Sequence, residues 1–156
     1  MIVTRVLPAA LGAFAAFDAQ AFFDGFGVGK SAREYGRTET IFRQGDAGHD
    51  VFFVESGGVK LSVASKTNGE AVVGTLGPGD FFGEECLAGQ PIRLSTATAI
   101  TPGVIRSINK RKMSQLLHTH PAMCDRFISN MLSRTMRVEG DLARQLFRTN
   151  GMREVL

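Results

Sequence analysis

The chain has 156 residues, enough for one domain with one appended element, and its 44% hydrophobic content can build a packed core. Eighteen glycines, twelve phenylalanines and no tryptophan suit a turn-rich β structure with an aromatic interior. The net charge of +3 is uneven: residues 1–102 carry 8 basic against 11 acidic side chains, and residues 103–156 carry 10 against 4. Solvated helix faces account for such a basic half, as does an acidic partner. Cys86 and Cys124 lie 38 residues apart with no CxxC pattern. That argues against a disulfide framework or an iron–sulfur cluster, and predicts reduced thiols in a cytoplasmic protein.

The N-terminal stretch combines Arg5, the apolar run VLPAALGAFAAF and the small-x-small triplet Ala19-Gln20-Ala21. This is the outline of a cleavable signal peptide, but Pro8 and Gly12 interrupt the run and Asp18 sits near its end. Phe14, Phe17, Ala21 and Phe22 recur at helical spacing, so a short helix is expected at about 15–24, starting near Asp18. No other stretch approaches the ~18–20 apolar residues of a membrane span, so no membrane partner is expected. GFGVGKS at 25–31 has three residues between Gly25 and Gly29-Lys30-Ser31, where a phosphate loop needs four; it reads as a glycine loop.

From Glu39 to Lys110 the signals are strands and turns. The predicted strands are 40–42, 51–54, 58–64, 70–76, 94–100 and 103–108, with Gly57-Gly58 and Asn68-Gly69 as turns. Val59, Leu61 and Val63 alternate with Lys60, Ser62 and Ala64, as in a strand with one buried face. Short strands at this spacing, with no long helices between them, predict an antiparallel roll or jelly roll. The last third is helical: Lys110 to His118, then a long helix from Pro121 to about Thr149. Ile128, Thr135 and Leu142 fall seven apart, with Met131/Leu132, Val138 and Leu146 between them, close to a heptad seam. A helix of that length runs about 43 Å, more than a small roll can cover, so its free end needs a partner.

The chemistry concentrates in GPGDFFGEECLAGQPIRLSTATAIT, residues 77–101. An acid, Glu84, follows a glycine turn, and Arg93 stands nine residues later. Backbone N–H groups in a glycine turn favour an anion, arginine clamps phosphate oxygens, and a carboxylate accepts from ribose hydroxyls. The three histidines are dispersed at 49, 118 and 120, and no nucleophile–base arrangement is legible; neither a metal site nor an enzyme is expected.

This stretch resembles the phosphate-binding cassette of cyclic-nucleotide-binding domains, with Phe82, Gly83, Glu84, Cys86, Leu87, Arg93, Ser95 and Thr96 on its pattern. The resemblance extends back through Ile41-Phe42, Gln44-Gly45-Asp46, Val51-Phe52-Phe53-Val54 and Gly58-Val59-Lys60-Leu61 in the family's order. It implies a mainly β fold with flanking helices: an antiparallel β-roll (double-stranded β-helix) and a long C-terminal dimerisation helix. Residues 1–14 would be an extension, 15–110 the roll with its N-terminal helix, and 111–156 the C-terminal helices. It also implies that FDAQAFFDGFG is the first helix rather than part of a signal peptide. The ligand would be cyclic AMP or cyclic GMP, with Glu84 at the ribose 2′-hydroxyl and Arg93 at the cyclic phosphate. Gly83, Glu84, Glu85, Cys86, Arg93 and Leu94 form the expected cassette side of the site. Thr135 matches a helix position whose hydroxyl meets the purine.

Two cassette positions depart from the family: Glu85 replaces an apolar residue, and Leu94 replaces a small or hydroxyl residue. Both changes work against an anion. Glu139-Gly140-Asp141-Leu142-Ala143 resembles the dimer helix of Crp/Fnr transcription regulators, implying a homodimer through helix 121–149. RTNGMREVL then ends the sequence where that family continues into a winged helix-turn-helix. Direct sequence-specific DNA binding by this chain is therefore not expected. Two functions stay open: a dimeric sensory module, or a dimerisation protein with a degenerate pocket that modulates full-length regulators.

Overall fold

A computed structural model describes residues 17–26 and 31–150, without the side chains of residues 149 and 150. Most of the signal-peptide stretch and of the glycine loop lies outside the described residues. Helix α1 spans Ala19–Gly25; Asp18 caps it by accepting from the Ala21 N–H at 3.1 Å. Eight strands follow: β1 Ala32–Tyr35, β2 Thr40–Phe42, β3 Asp50–Val54, β4 Val59–Ser65, β5 Gly69–Leu76, β6 Phe81–Phe82, β7 Thr96–Ala99 and β8 Gly103–Asn109. A 3-10 turn, Glu84–Ala88, sits between β6 and β7, and the chain continues as α2 Lys110–Thr119 and α3 Pro121–Asn150. Strands β1 and β6 are not among the strands the sequence pattern announced: AREY exposes three of its four residues and has no alternation to read, and Phe81–Phe82 is too short to show one.

The strands form two antiparallel four-stranded sheets, ordered β1-β8-β3-β6 and β2-β7-β4-β5. Side chains that alternate along β3 and β6 separate two cores. Val51, Phe53 and Phe81 join Phe23 of α1, Met113 and Leu116 of α2, and Met123 and Phe127 of α3. Val54 and Phe82 instead face the roll interior with Phe42, Val59, Leu61, Leu76, Ala97 and Ile105. The Phe81-Phe82 pair thus pins the helical layer with one ring and the roll with the other. It also places the 3-10 turn that follows at the junction between roll and α3.

Helix α3 is stitched to this junction by three polar side chains spaced four residues apart. Arg126 donates to Gly79 O at 3.1 Å. Asn130 accepts from the Phe81 N–H at 2.9 Å and donates to Asp80 at 2.7 Å. Arg134 donates to Phe81 O. Spacing of four keeps all three on one helix face. The exposed seam differs from its sequence outline in one respect. Ile128, Leu132, Val138, Leu142 and Leu146 face solvent, but Met131 packs against the helical core.

Candidate ligand-binding site

The cassette begins at Gly83, whose φ of 73° is the left-handed conformation that glycine adopts freely. A Cβ there would stand 2.9 Å from Arg93 Nη1, so glycine also provides the clearance. Glu84 and Glu85 open the 3-10 turn, and Cys86 is buried beneath it with its thiol directed to Gly83 O at 3.4 Å. Burial pushes that thiol's pKa up, which keeps it protonated and inert.

Glu84 turns toward α3, where its Oε1 accepts from Arg134 Nη1 at 3.2 Å. Glu84, Arg134 and Thr135, together with Met131, Val138 and Glu139, line one cleft of about 410 Å³. The Thr135 hydroxyl donates to Met131 O at 3.1 Å, one turn back in its own helix. The structure thus brings Glu84 and Thr135 together, and adds Arg134, which the sequence reading did not single out. The available signal was its position: Met123, Phe127, Asn130 and Arg134 share the roll-facing stripe of α3, and a cation there requires a partner.

Arg93 occupies the other side of Gly83. It is only 4% exposed, inside the roll, with its guanidinium 4.4 Å from the Phe42 ring centroid and 5.3 Å from that of Phe52. Nη1 donates to Gly83 O at 2.9 Å and Nη2 to Asp50 O at 2.7 Å. Nε is buried and has no partner among the described residues. Gly48 makes room for this side chain, since a Cβ at that position would lie 2.6 Å from Arg93 Nε. Leu94 points away and is 49% exposed. Burial and then the adjacent Glu84 carboxylate push Glu85 up to about 7, against the opposing pull of its own backbone N–H and Arg93. The cassette therefore presents an acid pair on one side and a backbone-tethered cation on the other. Among the described residues no cluster of His, Cys, Asp or Glu has the grouping of a metal site, and no helix is long and apolar enough to cross a membrane.

Comparison with known proteins places this geometry. The family model for the cyclic nucleotide-binding domain matches residues 32–120, more than half of the chain. The chain belongs to the cyclic-nucleotide-binding-domain family. A CRP-like cAMP-activated global transcriptional regulator of Mycobacterium tuberculosis is 25% identical over 114 residues, covering 73% of this chain and 51% of the regulator. The solved catabolite activator protein of Thermus thermophilus matches 75% of this chain and 54% of its own at 29% identity, with a TM-score of 0.60. The c-di-GMP responsive global regulator CLP of Xanthomonas campestris matches 74% of this chain and 59% of its own, with a TM-score of 0.68; at 24% identity it shows the fold alone. The chain thus spans little more than half the length of these regulators.

Proposed function

We propose that this chain is the sensory module of a Crp/Fnr-type transcription regulator, binding a cyclic nucleotide between the cassette and α3. The observation that carries the reading is the Glu84–Arg134 contact, because it joins the ribose-side acid of the cassette to the helix that carries the exposed seam. A ribose 2′-hydroxyl donating to Glu84 competes for the same carboxylate oxygens, so occupancy of the cleft bears directly on α3. The phosphate goes to the Arg93 side, where an unpartnered buried Nε–H supports an anion nearby. Thr135 faces the cleft and meets the base by exchanging its own-helix acceptor for the ligand. The cAMP-activated relative supports cyclic AMP as the first ligand to try. Two copies associate through the solvent-facing residues of α3, and the module works in the cytoplasm.

Isothermal calorimetry with cyclic AMP and cyclic GMP tests this reading, with Glu84→Ala and Arg93→Ala alongside and circular dichroism to verify folding. Micromolar binding that weakens in both variants is the expected result. A specific observation favours a second reading: both Arg93 Nη groups already hold carbonyls, and Glu85 adds an acid to the cassette. On that reading the pocket is degenerate and the chain acts by dimerising with full-length relatives. Absence of heat with either nucleotide, while the protein remains dimeric, would select it.

A further inference from the structure

A second cleft, of about 600 Å³, lies between the 3-10 turn and one face of α2, and it shares no lining residue with the Glu84 cleft. Its floor is Leu87 and the buried Cys86; its α2 side carries Lys110, Arg111, Ser114 and His118. Positions 110, 114 and 118 repeat every fourth residue, so they form one continuous face about 12 Å long. Among the described residues the lining includes no acidic side chain. Lys110 and Arg111 are exposed and take part in no ion pair among the described residues. Met113 and Leu116, on the opposite face, do the packing against the core, so the basic face is not needed to hold α2 in place.

We propose that this groove docks an acidic, extended peptide segment of a partner protein, with an apolar side chain of the peptide seated over Leu87. An extended chain advances about 3.3 Å per residue, so roughly four residues span the face. A carboxylate near one end then meets Lys110 and Arg111, and the rest of the segment runs along the face toward Ser114 and His118. Two exposed cations at one end of an apolar floor favour acidic over neutral peptides chiefly through complementary charge. The groove shares the 3-10 turn, Cys86 included, with the proposed nucleotide site, but none of the residues that line the Glu84 cleft.

The test uses the full chain and a fluorescein-labelled hexapeptide alternating Glu with Leu. Anisotropy reports affinity, and amide chemical shifts report location. The expected result is saturable binding with shifts concentrated at residues 86–89 and 110–119, weakened roughly tenfold or more in Lys110→Glu/Arg111→Glu. Both substitutions are at exposed positions, so circular dichroism and cyclic AMP calorimetry of that variant should match the wild type. Equal binding of a Gln–Leu peptide, undiminished binding by the charge-reversed variant, or shifts located elsewhere would each overturn the proposal. So would no binding at about millimolar peptide. Stronger shifts of the same residues by a single-stranded oligonucleotide would overturn it in favour of a nucleic acid.

Discussion

Arg134 holds Glu84 at 3.2 Å and, through the same Nη1, the carbonyl of Phe81. One guanidinium nitrogen therefore ties α3 to both the short strand β6 and the first acid of the cassette. Both side chains are largely shielded, at 18% and 25% exposure, so the contact is stronger than an open surface pair. Arg134→Met removes the charge and keeps most of the stem packing. Denaturant unfolding should show a loss of about 1–2 kcal/mol. A double-mutant cycle with Glu84→Gln should give a coupling of about 0.5–1 kcal/mol, and strict additivity would show that the two side chains do not interact.

Asn130, one turn earlier on the same face, is 6% exposed and satisfies the buried Phe81 N–H. Asn130→Ala leaves that N–H without a partner and also releases Asp80. A loss of about 2–3 kcal/mol in chemical denaturation is expected. A loss near zero would mean that water replaces the side chain and that α3 is held mainly by its apolar contacts.

Gly48 and Arg93 form a close-packed pair of a different kind. With a Cβ only 2.6 Å from Nε, Gly48→Ala forces the guanidinium off its stack on Phe42 and away from the carbonyls of Gly83 and Asp50. The expected cost is about 2 kcal/mol in thermal or chemical unfolding. If Arg93 binds the ligand phosphate, nucleotide affinity falls in the same variant. Unchanged stability would show that Arg93 moves freely, contrary to its buried, bonded geometry.

Much of the roll is legible in the sequence because its signals are local. The Asn68-Gly69 turn, the alternation in β4 and the proline at the start of α3 each specify their element without distant help, and Gly69 does adopt a φ of 71°. Strand β1 is not legible, since its place comes from pairing with β8 some seventy residues later. The cassette acid could be read from its motif, but the orientation of the arginine could not. Arg93 faces inward because Asp50 O and the Phe52 ring of β3, the Phe42 ring of β2 and Gly83 O converge on it. Arg134 escaped for a similar reason: its partner is fifty residues away. The seam was read one position too broadly, because a heptad pattern does not say which flank of a long helix its own roll covers. Met131 belongs to that covered flank.

Glu85 makes the module pH-dependent. Its pKa is about 7 in the folded chain against 4.5 for the ordinary carboxyl, so the folded state holds a proton that the unfolded state has released. Stability from this group is therefore greatest below about 4.5 and declines as pH rises to about 7, above which the penalty is constant. Because the side chain is only partly buried, screening reduces that penalty to the order of 1 kcal/mol. Glu85→Gln should raise the melting temperature at about pH 8 and leave it unchanged near pH 4. The same substitution should flatten any loss of nucleotide affinity above neutral pH, since the ionised carboxylate then repels the phosphate. Parallel melting profiles for the two proteins would show that Glu85 titrates normally.

The exposed face of α3 predicts the oligomeric state. Ile128, Leu132, Thr135, Glu139, Leu142 and Leu146 alternate at spacings of four and three, the pattern of a coiled-coil seam, and Leu132 alone is 58% exposed. A monomer would leave Ile128, Leu132, Leu142 and Leu146 of this stripe in water. A second copy of the same helix would cover it with matching residues and place Thr135, at the edge of the Glu84 cleft, within the seam. Introducing like charges at Leu132 and Leu142 would set acids against each other across such an interface while leaving the roll-facing stripe of Met123, Phe127 and Asn130 intact. Leu132→Glu/Leu142→Glu should therefore halve the mass measured by light scattering and keep the circular dichroism of the roll. A wild-type protein that already runs as a monomer at about 100 μM, well above the Kd expected of a stable dimer, would remove the seam as an interface between copies. The coupling proposed through Arg134 would then need another recipient.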